Sequence, residues 1–158
     1  MKKVIYIFLL LLGIAACSTA QDKDRQASIN SIFEKMELQG VDTKKPLLFS
    51  YFFFDQDRSK LEKLRDELLR DNYKLVKFEK TEKQEFVLQV EKLEIHSRSS
   101  LLERENQLDK LSEKFKVATF DGWDVGNADP TKPLAATDNF ETSLNGFHLV
   151  IELHYCFV

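Results

Sequence analysis

The chain has little of what stiffens or cross-links a polypeptide. It holds 2 cysteines, 3 prolines and 5 glycines in 158 residues. Two cysteines exclude a dense disulfide framework. So little proline and glycine excludes collagen-like and linker-type chains and leaves most of the length free for helix and strand. The leading apolar run, Val4–Ile14, covers 11 residues, whereas a membrane-spanning helix needs about 20. Neither charge sign dominates: 23 basic against 26 acidic side chains leave a net charge of −3. That balance lacks the basic footprint of a nucleic-acid binder. Nucleophile elbow, P-loop, zinc-ligand spacing and dinucleotide fingerprint are all missing. No cofactor, catalytic set or metal set is assigned from the sequence.

What is present begins at the N-terminus. Lys2-Lys3 precede the apolar run, and Ala15-Ala16-Cys17 follow it. Charged, then apolar, then small is the order of an export signal, with small side chains where a peptidase must bind. Residues 1–16 are read as that signal. The segment Ile14-Ala15-Ala16-Cys17 resembles a bacterial lipobox. The resemblance implies a diacylglycerol on the Cys17 thiol, cleavage before it, and acylation of the new amine. Each buried methylene contributes ~0.8 kcal/mol, so several chains would hold the protein on a bilayer. The expectation is a lipoprotein facing away from the cytoplasm. Ser18, rather than an aspartate, follows Cys17, which by resemblance to sorting rules favours the outer membrane. Loss of Lys2 and Lys3 takes the net charge from −3 to −5. Residues 17–26 are polar and read as a tether. Cys156, left alone in an apolar run, reads as a buried thiol.

The remaining length suits one domain with a real core. Ala27–Gln39 carries Ile29, Ile32, Phe33 and Met36 at helical spacing, stopped by Gly40. Leu47–Phe54 is apolar on both alternating faces, the pattern of a central strand. Ser59-Lys60-Leu61-Glu62 has capping-box spacing and opens a helix to Asp71, with a stripe of Leu61, Leu64, Leu68 and Leu69. Tyr73–Glu79 and Phe86–Ile95 flank a short polar turn and read as a hairpin. Ser100-Leu101-Leu102-Glu103 opens a second helix, with Leu101, Leu108, Leu111 and Phe115 on its stripe. Lys116–Asp121 follows as a strand ended by Gly122. The order β-α-β-β-α-β puts both helices on one sheet face by the right-handed crossover rule. The predicted fold is an α+β, ferredoxin-like sandwich over residues 27–126 with an extra N-terminal helix. Residues 127–158 are read as a loop and an appended β-hairpin turning at Asn145-Gly146 and packed on the domain.

Asp121, Gly122, Trp123 and Asp124 are the binding candidates. Gly122 permits a turn that other residues resist. Trp123 offers a large rigid surface with one polar handle, and tryptophan is enriched at binding hot spots. The competing role is structural, with Trp123 folded over the sheet. His148, Glu152, His154 and Cys156 fall on one face of the last strand; residues four apart on a strand lie ~13 Å apart, so this reads as a solvated edge rather than a metal site. Asp55 and Asp57 read as caps of the following helix. His96 reads as a hydrogen-bonding group. Lys74, Lys77, Lys80 and Lys83 alternate with Glu79, Glu82 and Glu85 and read as a solvated edge.

The segment Leu111–Trp123, LSEKFKVATFDGW, resembles the helix end, strand and Asp-Gly-Trp turn of the RraB family, regulators of ribonuclease E. Upstream, the helix ending before Gly40-Val41-Asp42, the aromatic strand and the Ser-initiated helix keep the same order. The resemblance spans roughly Ile29 to Val125. It implies a ferredoxin-like fold and protein binding rather than catalysis. For a cytoplasmic chain it would imply inhibition of ribonuclease E. With an export signal it implies an anchored, non-catalytic domain that binds a protein not named by the sequence. The alternative is an envelope enzyme or metal protein whose site assembles only in three dimensions.

Overall fold

The apolar run LLFSYFFF resolves into two unequal faces. Strand β1 spans Leu47–Asp55, and its side chains alternate strictly between buried and half-buried. Leu47, Phe49, Tyr51 and Phe53 are buried, while Leu48, Phe52 and Phe54 on the opposite face are half-buried. The structure, a computed structural model, describes residues 22–129 and two short strands beyond them. The chain divides into two compact units, residues 41–134 and residues 1–40 with 135–158.

In the first unit, β1 is followed by α2 (Arg58–Arg70), β2 (Lys74–Lys80), β3 (Phe86–Glu94), α3 (Arg98–Phe115) and β4 (Thr119–Gly126). The sheet order is β2-β3-β1-β4, and all pairings are antiparallel. Strands β1 and β3 are central, as the sequence predicts for the aromatic strand. Helix α2 lies over β1, β2 and β3, and α3 lies over β4 beside α2. In the second unit, residues 22–38 are helical in the described part of the chain (helix α1), and Ile29, Ile32, Phe33 and Met36 of this helix are buried. Gly40 follows with φ +77°, a conformation glycine adopts without steric cost. Strands β5 (Thr142–Leu144) and β6 (Phe147–Leu149) pair antiparallel. The rest of the expected hairpin, and residues 1–21, lie outside the described residues.

Several expected boundaries move. Residues 22–26, part of the stretch 17–26 read as tether, are helical. Its alternating charges do not disfavour helix, and only tertiary burial of the later apolar face selects it. The expected capping box at Ser59 is replaced by Asp57, whose carboxylate accepts the Ser59 N–H at 2.9 Å. Aspartate is at least as good an N-cap as serine, and it comes first in the chain. Likewise Ser97, not Ser100, caps α3, and the two serines satisfy each other's backbone N–H. Leu69, counted in the α2 stripe, is 40% exposed. The α3 stripe is Leu101, Glu105, Leu108 and Ser112, with Leu111 and Phe115 only half-buried.

The last strand also shifts. Lys116 is left-handed at φ 56°, and the Val117 N–H returns to the Ser112 carbonyl at 2.9 Å. This helix-terminating turn consumes residues that the sequence pattern assigns to a strand. Strand β4 therefore starts at Thr119 and runs through Asp121-Gly122-Trp123 to Gly126 rather than ending at Gly122. Tyr51 pairs with Trp123 and Phe53 with Phe120, so Asp121 and Gly122 together oppose Phe52. That is a β-bulge. Gly122 sits in it at φ +91°, which explains why glycine is there.

Leu64 in α2 and Leu108 in α3 are at most 3% exposed. Truncating a buried leucine costs about 2–5 kcal/mol. Leu64→Ala and Leu108→Ala are each expected to lower the thermal midpoint by ten degrees or more for a domain of this size. Melts that match wild type for both would refute the helix-on-sheet core described here.

Candidate functional site

A cluster of interacting titratable groups lies at the end of β3, where the chain enters α3. Strand alternation brings Glu94 to the same sheet face as Leu88 and Val90 of its own strand, opposite Leu47 of β1. A carboxylate on a core-facing position must be paired to remain charged. Arg104, on the second turn of α3, donates from Nη2 to Glu94 Oε1 at 2.7 Å. Tyr51 donates its hydroxyl to Oε2 at 2.9 Å. His96 Nε2 lies 3.2 Å from Oε2, and Lys92 Nζ is 3.7 Å from Oε1. Burial alone would raise the Glu94 pKa. The His96 hydrogen bond, the Arg104 charge and the Tyr51 hydroxyl outweigh it and bring the value to about 2. Burial, reinforced by the Glu94 charge, pushes the Tyr51 phenol far above its ordinary range. Tyr51 therefore acts as a donor throughout the accessible pH range.

Around this network lies an open cleft of about 420 Å³, lined by Lys92, Glu94, His96, Arg104 and Gln107 together with Leu93 and Ile95. Leu93 and Ile95 are 53% and 58% exposed. The cleft thus has apolar side chains at its lip and an ion-paired floor. His96 is buried, with its ring edge-on to Phe49 at 4.9 Å. Its Nδ1 lies 3.1 Å from Ser100 Oγ. Ser100, His96 and Glu94 are connected as in a hydrolase relay, yet each is engaged elsewhere. Ser100 Oγ accepts the Ser97 N–H at 2.9 Å and reaches the Ser97 carbonyl at 3.2 Å. Glu94 is held by Arg104. A nucleophile locked into a helix cap, beside a carboxylate neutralised by arginine, is an arrangement for holding α3 to the sheet. Among the described residues no three His, Cys, Asp or Glu side chains could share a metal ion.

The Asp121–Asp124 stretch is spread over both sides of β4. Trp123 is 5% exposed. Its ring lies 5.7 Å from Phe49, and its indole N–H donates to Glu105 of α3. The structural role weighed for this ring is the one its position serves: the indole is enclosed between sheet and helix, not offered at a rim. Asp121 and Asp124 are half-buried. Burial raises the pKa of both; Glu85 adds to the rise at Asp121. For Asp124 the Val125 N–H, at 2.7 Å, works against it. Asp55 and Asp57 cap as expected, and Asp55 does more. It accepts N–H bonds from Asp57 at 2.7 Å and Ala118 at 2.8 Å, and it pairs with Lys60 at 3.1 Å. One buried carboxylate so joins the end of β1, the start of α2 and the approach to β4. The residues β2 presents are almost all exposed, the solvated edge expected of its lysines. His148, Glu152, His154 and Cys156 lie where side chains are not described.

The sequence reading did not bring out Glu94, Arg104 and Tyr51, which come from three elements. A signal was available in Glu94, an acid continuing the inward register of an otherwise apolar strand.

The charged groups buried in this α+β sandwich are spent on its own packing. The chain belongs to the RraB family: the family profile described as "Regulator of ribonuclease activity B" matches residues 26–125. Proteins of this family are non-catalytic regulators of ribonuclease E, and this chain is accordingly not an enzyme. A comparison with curated proteins finds no match.

Proposed function

We propose that this protein is a lipid-anchored, non-catalytic regulatory domain of the RraB type that binds a protein partner in the cell envelope. The observation that carries the reading is the position of the family match. It begins at residue 26, shortly after the export-signal pattern and the Ile14–Cys17 segment. Acyl chains on Cys17 supply the attachment, as the Ile14–Cys17 segment implies; among the described residues no helix is long and apolar enough to cross a membrane. Ser18 after Cys17 favours the outer membrane. The βαββαβ order with central β1 and β3 supports the ferredoxin-like reading of the domain, with the C-terminal hairpin appended to it. The partner meets β4, where Asp121, Gly122 and Asp124 are accessible and Trp123 fixes the strand from beneath. No nucleic acid is involved, given the acidic balance of charge.

The family match also favours a second reading, a cytoplasmic regulator of ribonuclease E. Ribonuclease E is cytoplasmic, so export decides between the two. In Cys17→Ser the thioether-forming group is gone. Metabolic acyl labelling and membrane recovery are both expected to disappear in this variant while the wild type shows both. A wild type that takes no label and fractionates with the cytosol would sink the anchored reading and leave the ribonuclease-regulating one.

A further inference from the structure

The two free edges of the sheet are unlike each other. Most side chains of β4 are buried or half-buried, whereas every residue of β2 except Phe78 is exposed. The hydrogen-bond phase of that open edge follows from its turn. The Thr81 N–H donates to the Glu85 carbonyl at 2.7 Å, and the Gln84 N–H donates to the Thr81 carbonyl at 3.0 Å, so Thr81 and Glu85 are a hydrogen-bonded pair. Bonded and non-bonded pairs alternate along an antiparallel ladder. Glu79 with Val87 and Lys77 with Gln89 are therefore the pairs bonded to β3. Phe78 and Lys80 turn their N–H and C=O groups away from β3, toward the free edge. We propose that β2 pairs antiparallel with β2 of a second copy of this chain, with Phe78 opposite its own counterpart on a two-fold axis, so that two four-stranded sheets join into one. Charge selects this register. Lys77 and Glu79 share the face opposite Phe78, with Nζ 2.7 Å from Oε1 within the chain. With Phe78 on the axis, Lys77 of each copy meets Glu79 of the other, and four charges alternate in sign around the seam. An axis at Lys77 would set lysine against lysine there and Lys74 against Lys80. An axis at Glu79 would set glutamate against glutamate. Like charges directly opposite destabilise a strand pair, and lysines on an open edge exclude such mispairings. On the other face Arg58 and Arg65 of α2 hold the Phe78 ring, at 5.2 and 5.5 Å from its centroid. Each copy thus brings one aromatic side chain to the axis, a cross-strand pairing that is itself favourable. The seam is a single strand wide, so the dimer is weak and reversible. It leaves β4 free and does not depend on acylation of Cys17.

The test is sedimentation equilibrium of the full-length chain in detergent micelles kept in large molar excess. The wild type is expected to pass from monomer to dimer as its concentration rises to about 100 μM, the range of a small interface. Lys77→Glu places like charges at both 77–79 contacts and is expected to weaken the dimer roughly tenfold or more. Lys77→Glu/Glu79→Lys restores the alternation and is expected to return the affinity to near wild type. Both side chains are exposed, and thermal midpoints measured alongside separate lost pairing from lost folding. In a Cys156→Ser background, Phe78→Cys is expected to form an intermolecular disulfide on oxidation and Lys77→Cys is not, because only the residue on the axis faces its own counterpart within disulfide reach. A wild type that stays monomeric at about 500 μM, or a dimer indifferent to Lys77→Glu, would overturn the proposal. A dimer that Lys77→Glu weakens and the charge swap does not restore would overturn the Phe78-centred register.

Discussion

Trp123→Ala is expected to be among the most destabilising single substitutions in this domain. The ring packs on Phe49 and closes the space between β4 and α3. Its indole N–H is a hydrogen-bond donor to Glu105, a carboxylate only 7% exposed. Truncation opens a large cavity, at about 3–5 kcal/mol for Trp→Ala, and it also strips a buried carboxylate of a donor. The midpoint of urea unfolding is expected to fall by roughly 2 M. Trp123→Phe separates the two contributions, because it retains most of the apolar volume and loses only the donor. The sequence suggests the opposite outcome, in which Trp123 projects to a partner and its loss weakens binding while folding survives. An unchanged urea midpoint in Trp123→Ala with loss of partner capture would restore that role and contradict the buried position.

The second large effect is expected at Glu94. Glu94→Ala leaves Arg104 beside a vacated site and removes the acceptor of the Tyr51 hydroxyl. Breaking one partner out of a buried ion pair costs about 3–5 kcal/mol. The sign of the pH dependence follows from the depressed value. The Glu94 pKa lies at about 2, below its ordinary 4.5. Its contribution to stability is complete above 4.5 and is lost as the pH falls from there through about 2. Thermal melts of the wild type between pH 5 and pH 2 are expected to decline steeply. Glu94→Gln, which keeps the shape and one acceptor, is expected to start lower and decline less. Parallel pH profiles for the two proteins would show that Glu94 is not held charged by Arg104, His96 and Tyr51.

The sequence by itself determined the order of elements and the greasy faces that make them pack. Periodicity is local: the α2 leucines at positions 61, 64 and 68 are all buried, and the alternation of β1 marks it as central before any partner strand is known. The family was legible for the same reason, since its signature is a contiguous run across the α3 end and β4. Tertiary structure decided three things that no local window contains. It set the caps, because Asp57 and Ser97 compete with nearby serines and the winner depends on where the chain enters the helix. It turned the Asp-Gly-Trp stretch from a strand end into a bulged strand, because the left-handed turn at Lys116 delays the start of β4 and Trp123 is drawn in opposite Tyr51. And it assembled the Glu94 network, whose Tyr51 lies 43 residues and whose Arg104 lies 10 residues from the carboxylate they share. A charged side chain on an apolar face announces that a partner must exist. Which residue answers is fixed only when sheet pairing and helix docking bring distant parts of the chain together.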